Sequence, residues 1–332
     1  MSTSLALAVW VAAAVDVRLG EPPLRLHPVV WIGRYLGAMG ARVAPAAPAG
    51  DAQPPAAPEG RDFKSFGLGV SAWWCGAAMV LGVSWALSAG LGWALHGAGG
   101  GLAAQLGAGL VLGLLLKPLL AWRLLCDEVA AVEAALAESL PAGRARLAWL
   151  VSRDVQALSA EQVRESAIES LAENLNDSVV APLFWFAVAG LPGAALYRFA
   201  NTADAMWGYR GVREGRVWEW AGKWAAWADD ALSWLPARLT ALLLQLAAWR
   251  RVPGLAQQAR LTPSPNSGWP MAAMARLLGV TLGKPGVYTL NAGARAPTPA
   301  DTQAAIDLAQ QVLIWALMGV TMLVLLRPQW LT

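Results

Sequence analysis

Residues 173–204 read ENLNDSVVAPLFWFAVAGLPGAALYRFANTAD, an apolar run with acidic and amide side chains at both ends. Pro192 lies inside this run, where a proline removes a helical hydrogen bond and clashes with the preceding turn. Residues 179–197 are therefore poorly described as an uninterrupted membrane span. We expect them to enter the apolar phase and return as a helical hairpin, which brings Asn174 and Asp177 to the same mouth as Asn201 and Asp204.

The composition indicates a membrane protein. Of 332 residues, 57% are hydrophobic and 14% are charged, whereas soluble domains average about a quarter charged residues. This excludes a disordered chain, a disulfide-rich secreted module and an ordinary soluble enzyme. The net charge of +3, without any Lys/Arg block, gives no support for nucleic-acid binding.

Four further apolar segments define the predicted membrane topology. Residues 65–116 contain no Asp, Glu, Lys or Arg and divide at a glycine turn, residues 97–101, into two spans. Residues 4–17 and 308–326 add two more, and residues 231–249 are interrupted by Pro236. We therefore predict an all-α polytopic integral membrane protein with about four full spans, two Pro-broken re-entrant hairpins and cytoplasmic helices.

Charge placement favours the hairpins over further spans. With both hairpins returning, nearly every Lys and Arg lies on one face, which the positive-inside rule makes cytoplasmic. We expect a single membrane-enzyme domain over residues 1–332 with a flexible Pro/Ala linker at 44–60 and a soluble helical segment at 117–177, where Ser159 and Gln162 form a capping box. Residues 201–230 and 250–307 are predicted as polar loops of the active face.

An acidic stripe precedes the first hairpin. Carboxylates spaced by four residues share one helix face, where like charges repel; here they are Glu165, Glu169, Glu173 and Asp177. Binding of Mg²⁺ through carboxylate oxygens is a physical reason for this pattern. The alternative is a solvated helix face whose acids pair with Arg164 and other cations.

The remaining candidates are isolated polar residues. His27 is one of only two histidines and is a candidate general base, although a lone interfacial histidine is more often structural. Arg18 and Arg34 are candidate phosphate or carboxylate clamps, with lipid headgroups as the alternative. Arg238 in an apolar run needs a partner, for which the neighbouring acids of residues 229–230 are the candidates. Residues 263–270 are predicted as an ordered loop that contacts ligand.

Tryptophan is unusually abundant, and four of the residues recur at helical spacing: Trp220, Trp224, Trp227 and Trp234. We predict that they form one face of an amphipathic helix at the membrane interface. A stacking surface for a flat ligand is the alternative.

Several motifs together resemble a known family. The segments ESLAENLND, VVAPLFW, LPGAALYR, NTADAMWGY, DDALSWLPARLTALLL and PSPNSGWPMAAMA, with HPV and IGR near the N-terminus, are similar to those of the adenosylcobinamide-phosphate synthases of cobalamin biosynthesis, the CobD/CbiB family. The resemblance runs in order over nearly the whole chain. Ser178 and Ala205 depart from the expected Gly and Ser, which puts any role for a hydroxyl at residue 205 in doubt.

This resemblance implies a multi-pass membrane ligase. It would use ATP and Mg²⁺ to join (R)-1-aminopropan-2-ol O-2-phosphate, or free aminopropanol, to the carboxylate of adenosylcobyric acid. It also implies an inner-membrane location, and the shared pathway suggests a complex with threonine-phosphate decarboxylase. An intramembrane Mg²⁺-dependent prenyltransferase and a non-enzymatic membrane sensor are the rival interpretations.

The chemistry implied by the family assigns roles to the candidate residues. Mg²⁺ bridging the ATP phosphates would be held by Glu169, Glu173, Asp177 and Asp204. The predicted catalytic residues are Glu169, Asp177, Asp204 and His27. The predicted substrate-binding residues are Arg18, Arg34, Asn174, Asn201, Tyr209, Arg210, Arg238, Ser264 and Asn266.

Overall fold

The computed structural model describes residues 2–47 and 60–326. Helices dominate this part of the chain, with bounds α1 Ser2–Leu19, α2 Pro28–Val43, α3 Phe63–Gly97, α4 Leu102–Leu116, α5 Trp122–Glu138, α6 Leu140–Leu147, α7 Ala160–Leu175, α8 Ala181–Trp207, α9 Lys223–Ala247, α10 Leu255–Ala259, α11 Gly268–Leu278 and α12 Pro299–Leu325. A 3₁₀ turn, Lys117–Leu119, follows α4, and a π-helical turn, Asn176–Val180, joins α7 to α8.

Sheet is confined to two short antiparallel hairpins in the described residues. Strands β1 (Val212–Arg213) and β2 (Arg216–Val217) form one, and β3 (Leu282–Lys284) and β4 (Tyr288–Leu290) form the other. The all-α fold class is therefore confirmed. Residues 48–59 of the predicted linker lie outside the described residues.

Five helical stretches are long and apolar enough to cross a membrane: Ser2–Leu19, Phe63–Gly97, Leu102–Glu138, Ala160–Trp207 and Pro299–Leu325. Four of them contain the predicted full spans, so the multi-pass architecture is confirmed. The α3–α4 connection passes through Gly99 and Gly100, both at positive φ, as the predicted glycine turn requires. Close packing of α4 on α1 uses Gly113, where an added Cβ would lie 2.6 Å from Val11.

The remaining stretch, Ala160–Trp207, contains the predicted hairpin. Its helical path breaks at Ala189 and Gly190, and Gly190 has φ +63° and ψ −154°, a region open essentially to glycine alone. Beyond the break the chain runs back along itself, since a Cβ on Gly193 would lie 2.4 Å from the Trp185 carbonyl oxygen. We call residues 176–204 the reversing hairpin. Its existence confirms the prediction for residues 179–197.

The second predicted hairpin, at residues 231–249, is wrong, because α9 continues through Pro236 as one helix. A proline leaves the carbonyl four residues earlier without its helical donor. Here the Trp185 indole nitrogen donates to that carbonyl, Leu232 O, at 3.0 Å. The usual cost of a mid-helix proline is thereby offset by a side chain of the reversing hairpin.

Instead of dipping inward, α9 lies across the mouth of the reversing hairpin. Its N-terminal part packs on α3 through Trp227 and Phe66, with ring centroids 5.9 Å apart. Farther along, Ser233 contacts Tyr197 on the returning limb, and Thr240 donates to Asn176 on the entering limb. Helix α9 therefore braces both limbs at the level where their polar residues begin.

The tryptophan prediction is partly wrong. Trp220 precedes α9, which begins at Lys223, and Trp224 packs edge-on against Trp73 of α3. Trp227 and Trp234 are 51% and 55% exposed. These two remain consistent with a membrane-interface face, whereas the first two are packed against the spans.

The polar segments predicted as loops are largely ordered into secondary structure. Helix α8 extends to Trp207, so Asn201 and Asp204 lie on a helix, and only residues 208–222 are non-helical before α9. Residues 250–307 contain α10, α11, the β3–β4 hairpin and the start of α12. The capping box of Ser159 and Gln162 is confirmed at the start of α7.

We predict that Gly190→Ala destabilises the protein by about 1–3 kcal/mol, because alanine is strained at this backbone conformation although space for a methyl group exists. Gly82→Ala, on an exposed part of α3 with open space around it, is the control and is expected to be neutral or slightly stabilising. Thermal unfolding in detergent measures both variants. Equal midpoints for the two would contradict the reversal at Gly190.

Candidate active site

The two limbs of the reversing hairpin are tied together at its mouth. Arg198 Nη1 donates to the Asp177 carbonyl oxygen at 3.4 Å and to Ser178 Oγ at 3.1 Å. The Tyr197 hydroxyl donates to Asp177 Oδ1 at 3.4 Å. These contacts confirm that the residues around Asp177 and those around Asn201 lie at one mouth.

A π-helical turn sets the direction of the side chains on the entering limb. Ala181 N donates to Asn176 O, five residues back, so the turn holds one more residue than an α-helical turn. Such single turns are frequent at functional sites. The side-chain amide of Asn176 links this turn to α9. Its nitrogen donates to Asp177 Oδ1 at 2.7 Å, and its oxygen accepts from Thr240 Oγ1 at 3.1 Å.

The mouth concentrates carboxylates that have no cationic partner. We call the following set the acid cluster: Glu173, Asp177, Asp204, Asp229 and Asp230. Within residues 2–47 and 60–326, no Lys, Arg or His nitrogen lies within 4.0 Å of any of these carboxylates. Amides supply hydrogen bonds instead, such as Asn201 Nδ2 to Asp229 Oδ1 at 3.4 Å.

Asp229 and Asp230, the two members of the acid cluster on α9, show the electrostatic cost of placing these carboxylates together. Burial raises the pKa of Asp229 well above its usual range, and the charges of Asp177 and Asp204 raise it further. Burial also raises the pKa of Asp230, against the opposing effect of Arg210. A bound cation would relieve both effects.

The predicted Mg²⁺ ligands do not converge on one preformed centre. Among the described residues, no three His, Cys, Asp or Glu side chains are arranged to hold one metal ion. Glu169 Oε2 is 3.5 Å from Arg153 Nη2, and Glu169 Oε1 accepts a hydrogen bond from the Tyr288 hydroxyl. The Mg²⁺ site therefore stays a prediction, to which Glu173, Asp177 and Asp204 are better suited than Glu169.

Beside the acid cluster lies a polar cavity of about 310 Å³. It is bounded by α7, the segment before it, the loop at residues 263–267 and the β3–β4 hairpin. The lining includes Arg153, Glu169, Glu173, Lys284 and Tyr288. Burial raises the pKa of the Tyr288 hydroxyl, as does the adjacent Glu169 carboxylate. We call this space the mixed-charge cavity.

Of the predicted substrate-binding residues, Asn174 and Ser264 line the mixed-charge cavity. Asn266 belongs to the adjoining loop, and its amide nitrogen donates to Asp230 O at 2.8 Å. Arg238 Nη1 donates to Asn266 Oδ1 at 3.1 Å, and the guanidinium lies over Trp234 and Trp269. Arg238 thus holds the loop against α9. It forms no ion pair with the acids at 229–230, which the sequence indicated as its candidate partners.

The other predicted residues do not line the mixed-charge cavity. Arg210 acts electrostatically on Asp230, whereas the Tyr209 hydroxyl donates to Ala205 O at 2.8 Å. The side chains of Arg18 and Arg34 are on exposed residues. No hydrogen bond or ion pair between described residues joins those two side chains to the acid cluster.

His27 belongs to a separate network at the start of α2. Its Nδ1 accepts from Val29 N at 3.3 Å, which caps the helix, and its Nε2 is 2.9 Å from Glu21 Oε2. Glu21 is paired with the buried Lys117, which is also 3.1 Å from Asp16 Oδ1. The network ties the ends of α1 and α4 together, and its contacts favour the structural role of His27.

Comparisons with known proteins identify the family of this chain. The family described as CobD/Cbib protein matches residues 9–315. The chain belongs to the CobD/CbiB family. A protein named cobalamin biosynthesis protein CobD, from Stutzerimonas stutzeri, is 39% identical over 99% of each chain. A probable cobalamin biosynthesis protein CobD from Thermococcus kodakarensis is 40% identical over 83% of this chain and 82% of its own. No solved structure matches.

The structure brings four residues to the site that the sequence did not single out as site residues: Arg153, Asp229, Lys284 and Tyr288. Lys284 and Tyr288 come from the β3–β4 hairpin and meet α7 across more than a hundred residues of sequence. Arg153 precedes α7 and bonds Ser166 Oγ at 2.5 Å. Only the adjacent acids at residues 229–230 carried a signal, as an acidic pair at the start of an apolar run.

We predict that Asp229→Asn raises the unfolding midpoint in metal-free buffer, because an amide removes one of several crowded like charges. The raised pKa of Asp229 determines how the stability gained by the substitution changes with pH. The stability advantage of protonated Asp229 is complete at acid pH and is lost as pH rises through the raised pKa, so the gain from the substitution grows with pH.

The matched control is Asp307→Asn, on an exposed residue of α12, which is expected to change nothing. Thermal unfolding of both variants between acid and neutral pH is the measurement. A loss of stability in Asp229→Asn at neutral pH would show that this carboxylate is already satisfied.

Proposed function

We propose that this protein acts in cobalamin biosynthesis and catalyses ATP-dependent amide formation between (R)-1-aminopropan-2-ol O-2-phosphate and the carboxylate of adenosylcobyric acid. Membership of the CobD/CbiB family and the names of its relatives support the pathway. The reaction itself rests on the chemistry of the site. Family membership lends no support to the prenyltransferase or sensor alternatives.

One observation carries the proposal: a cluster of unpaired carboxylates borders a cavity that contains cationic side chains. The acid cluster suits Mg²⁺ and the phosphates it coordinates, whereas Arg153 and Lys284 suit a phosphate directly. Glu173 belongs to both regions. A reaction that brings a nucleotide, an amine and an acid together needs such adjacent sites of opposite charge.

The acid cluster fits a Mg²⁺–nucleotide complex. Mg²⁺ is usually held by one or two carboxylates together with substrate phosphates and water, rather than by a closed protein cage. Asp177 and Asp204 on the two limbs are the residues that would hold it, with Glu173 one helical turn from Asp177. When bound, the metal would neutralise charge on ATP as its terminal phosphate is transferred to the substrate carboxylate.

The protein's own groups would then orient and deprotonate the amine. The substrate ammonium must lose a proton before its nitrogen attacks the acyl phosphate, forms the C–N bond and displaces inorganic phosphate. A nearby carboxylate can accept that proton. Glu173 lines the mixed-charge cavity and also belongs to the acid cluster, so it is the residue we assign to this role. The predicted general base His27 is engaged with Val29 N and Glu21, and we no longer favour it.

We further propose an inner-membrane location with the mouth of the reversing hairpin facing the cytoplasm. The supporting observation is charge placement: residues 65–116 and 179–197 carry no Asp, Glu, Lys or Arg, whereas most Lys and Arg residues fall in 18–65, 117–177, 201–230 and 250–307, which the proposed layout puts on the side of the mouth. A complex with threonine-phosphate decarboxylase remains a proposal based on shared chemistry, because its product is the proposed amine substrate.

The reaction is tested with detergent-purified protein, ATP, Mg²⁺, adenosylcobyric acid and aminopropanol phosphate, with the amide detected by mass spectrometry. We expect Asp177→Asn and Asp204→Asn to lower kcat about a hundredfold or more, because each removes a charge that holds the metal–nucleotide complex. Asp307→Asn is the control. Full activity in both mouth variants would refute the metal role, and no product from the wild-type protein would refute the reaction.

The topology is tested by labelling single cysteines in a variant whose Cys75 and Cys126 are replaced by alanine. We expect Gly215→Cys, in the turn between β1 and β2, to be protected from an impermeant thiol reagent in intact cells. His96→Cys, at the far end of α3, is expected to react. Labelling of position 215 from outside would overturn the orientation.

A further inference from the structure

The mixed-charge cavity has the composition of a site for a small zwitterion. Its lining contains the cations of Arg153 and Lys284 together with the carboxyl groups of Glu169 and Glu173, and hydroxyls from Ser264 and Ser267. A volume of about 310 Å³ is at the lower end of the range for ligand pockets, which is about 300–1,000 Å³. Such a space suits a compact ligand and excludes a macrocycle.

The cations are incompletely used by the protein. Arg153 contacts Ser166 and Glu169 through Nη2, but its Nε is buried without a hydrogen-bond partner. Lys284 forms no ion pair within 4.0 Å in the described part of the chain. A buried donor left unpaired is costly, and a phosphate oxygen is a strong acceptor for guanidinium and ammonium groups.

The β3–β4 hairpin fixes this end of the cavity. Gly286, at φ +74°, allows the tight turn that follows Lys284, and Tyr288 anchors the returning strand by donating to Glu169. Glu169 is thereby engaged by Arg153 and Tyr288. It helps to hold the cation-bearing wall in place, and Glu173 is left as the carboxylate without a cationic partner.

The position of Glu173 determines how a zwitterionic ligand would be oriented in the cavity. It lies four residues before Asp177, which is about 6 Å along a helix. A ligand whose ammonium meets Glu173 therefore presents its nitrogen next to the acid cluster, while its phosphate stays at Arg153 and Lys284. The amine that reacts and the activated carboxylate would meet between the two regions.

We propose that the mixed-charge cavity is the aminoalkyl-phosphate subsite, in which Arg153 and Lys284 bind the phosphate and Glu173 binds the ammonium. The assignment rests on the proposed function, since it names the place of one substrate of that reaction. It leaves the other four carboxylates of the acid cluster to the metal–nucleotide complex. It also makes the phosphorylated amine, rather than the free amino alcohol, the preferred substrate.

The test is a binding measurement that needs no turnover. Isothermal titration of the detergent-purified full chain with O-phosphoethanolamine, without ATP, is expected to show binding that Lys284→Gln weakens about tenfold or more. Arg153→Gln is expected to do the same. Glu173→Gln is expected to weaken O-phosphoethanolamine while leaving inorganic phosphate unchanged, because only the former has an ammonium group.

Controls separate binding from folding. Arg251→Gln and Lys64→Gln, on exposed residues away from the lining, should bind like the wild type. Because Arg153 contacts Glu169, its variant is interpreted only with an unchanged thermal midpoint, whereas Lys284 is exposed and can be replaced safely. Unchanged binding in Lys284→Gln, or displacement of O-phosphoethanolamine by a non-hydrolysable ATP analogue, would overturn the assignment.

The subsite and the proposed reaction fail in different ways. If the wild type makes no amide but binds O-phosphoethanolamine through Arg153 and Lys284, the proposed subsite is supported and the proposed reaction is refuted. If amide forms with an unchanged KM for aminopropanol phosphate in Lys284→Gln, the reaction stands and the subsite is wrong.

Discussion

The chain reversal at Gly190, held closed by Arg198 at the other end of the limbs, is the constraint on which the site depends. The turn needs a backbone conformation open to glycine, and the Arg198 guanidinium joins the returning limb to the Asp177 carbonyl. Without the reversal, a continuous helix would place Asp177 and Asp204 on opposite faces of the membrane. With it, two short polar motifs form one surface that α9 can brace.

That surface concentrates negative charge on a chain that is otherwise poor in charge. The carboxylates at 229 and 230 join those of the hairpin, and the amides of Asn176, Asn201 and Asn266 donate hydrogen bonds to them without neutralising them. Such a surface is unfavourable for the empty protein. The metal–nucleotide complex that we propose would offset this cost, and the neighbouring cations of the mixed-charge cavity would extend the proposed site to a substrate of mixed charge.

Composition and local pattern predicted the spans, the capping box of α7 and the reversing hairpin, because each depends on nearby residues. The error at residues 231–249 has a different origin: the carbonyl that Pro236 leaves open is satisfied by Trp185, which is 47 residues away. Arg153 and Lys284 could not be predicted for the same reason, because their place in the site depends on contacts between residues far apart in the sequence. A single cation in a loop or a strand turn has no distinguishing pattern, and only the fold brings it to α7.

The most direct test of the account is the distance between the two limbs at the mouth. Spin labels at positions 174 and 202, measured by pulsed electron resonance in lipid nanodiscs, report it without reference to activity. A reversing hairpin predicts a separation at the short limit of the method. A continuous span over these 28 residues would separate the labels by about 42 Å, and a distance of that size would contradict the reversal and the site built on it.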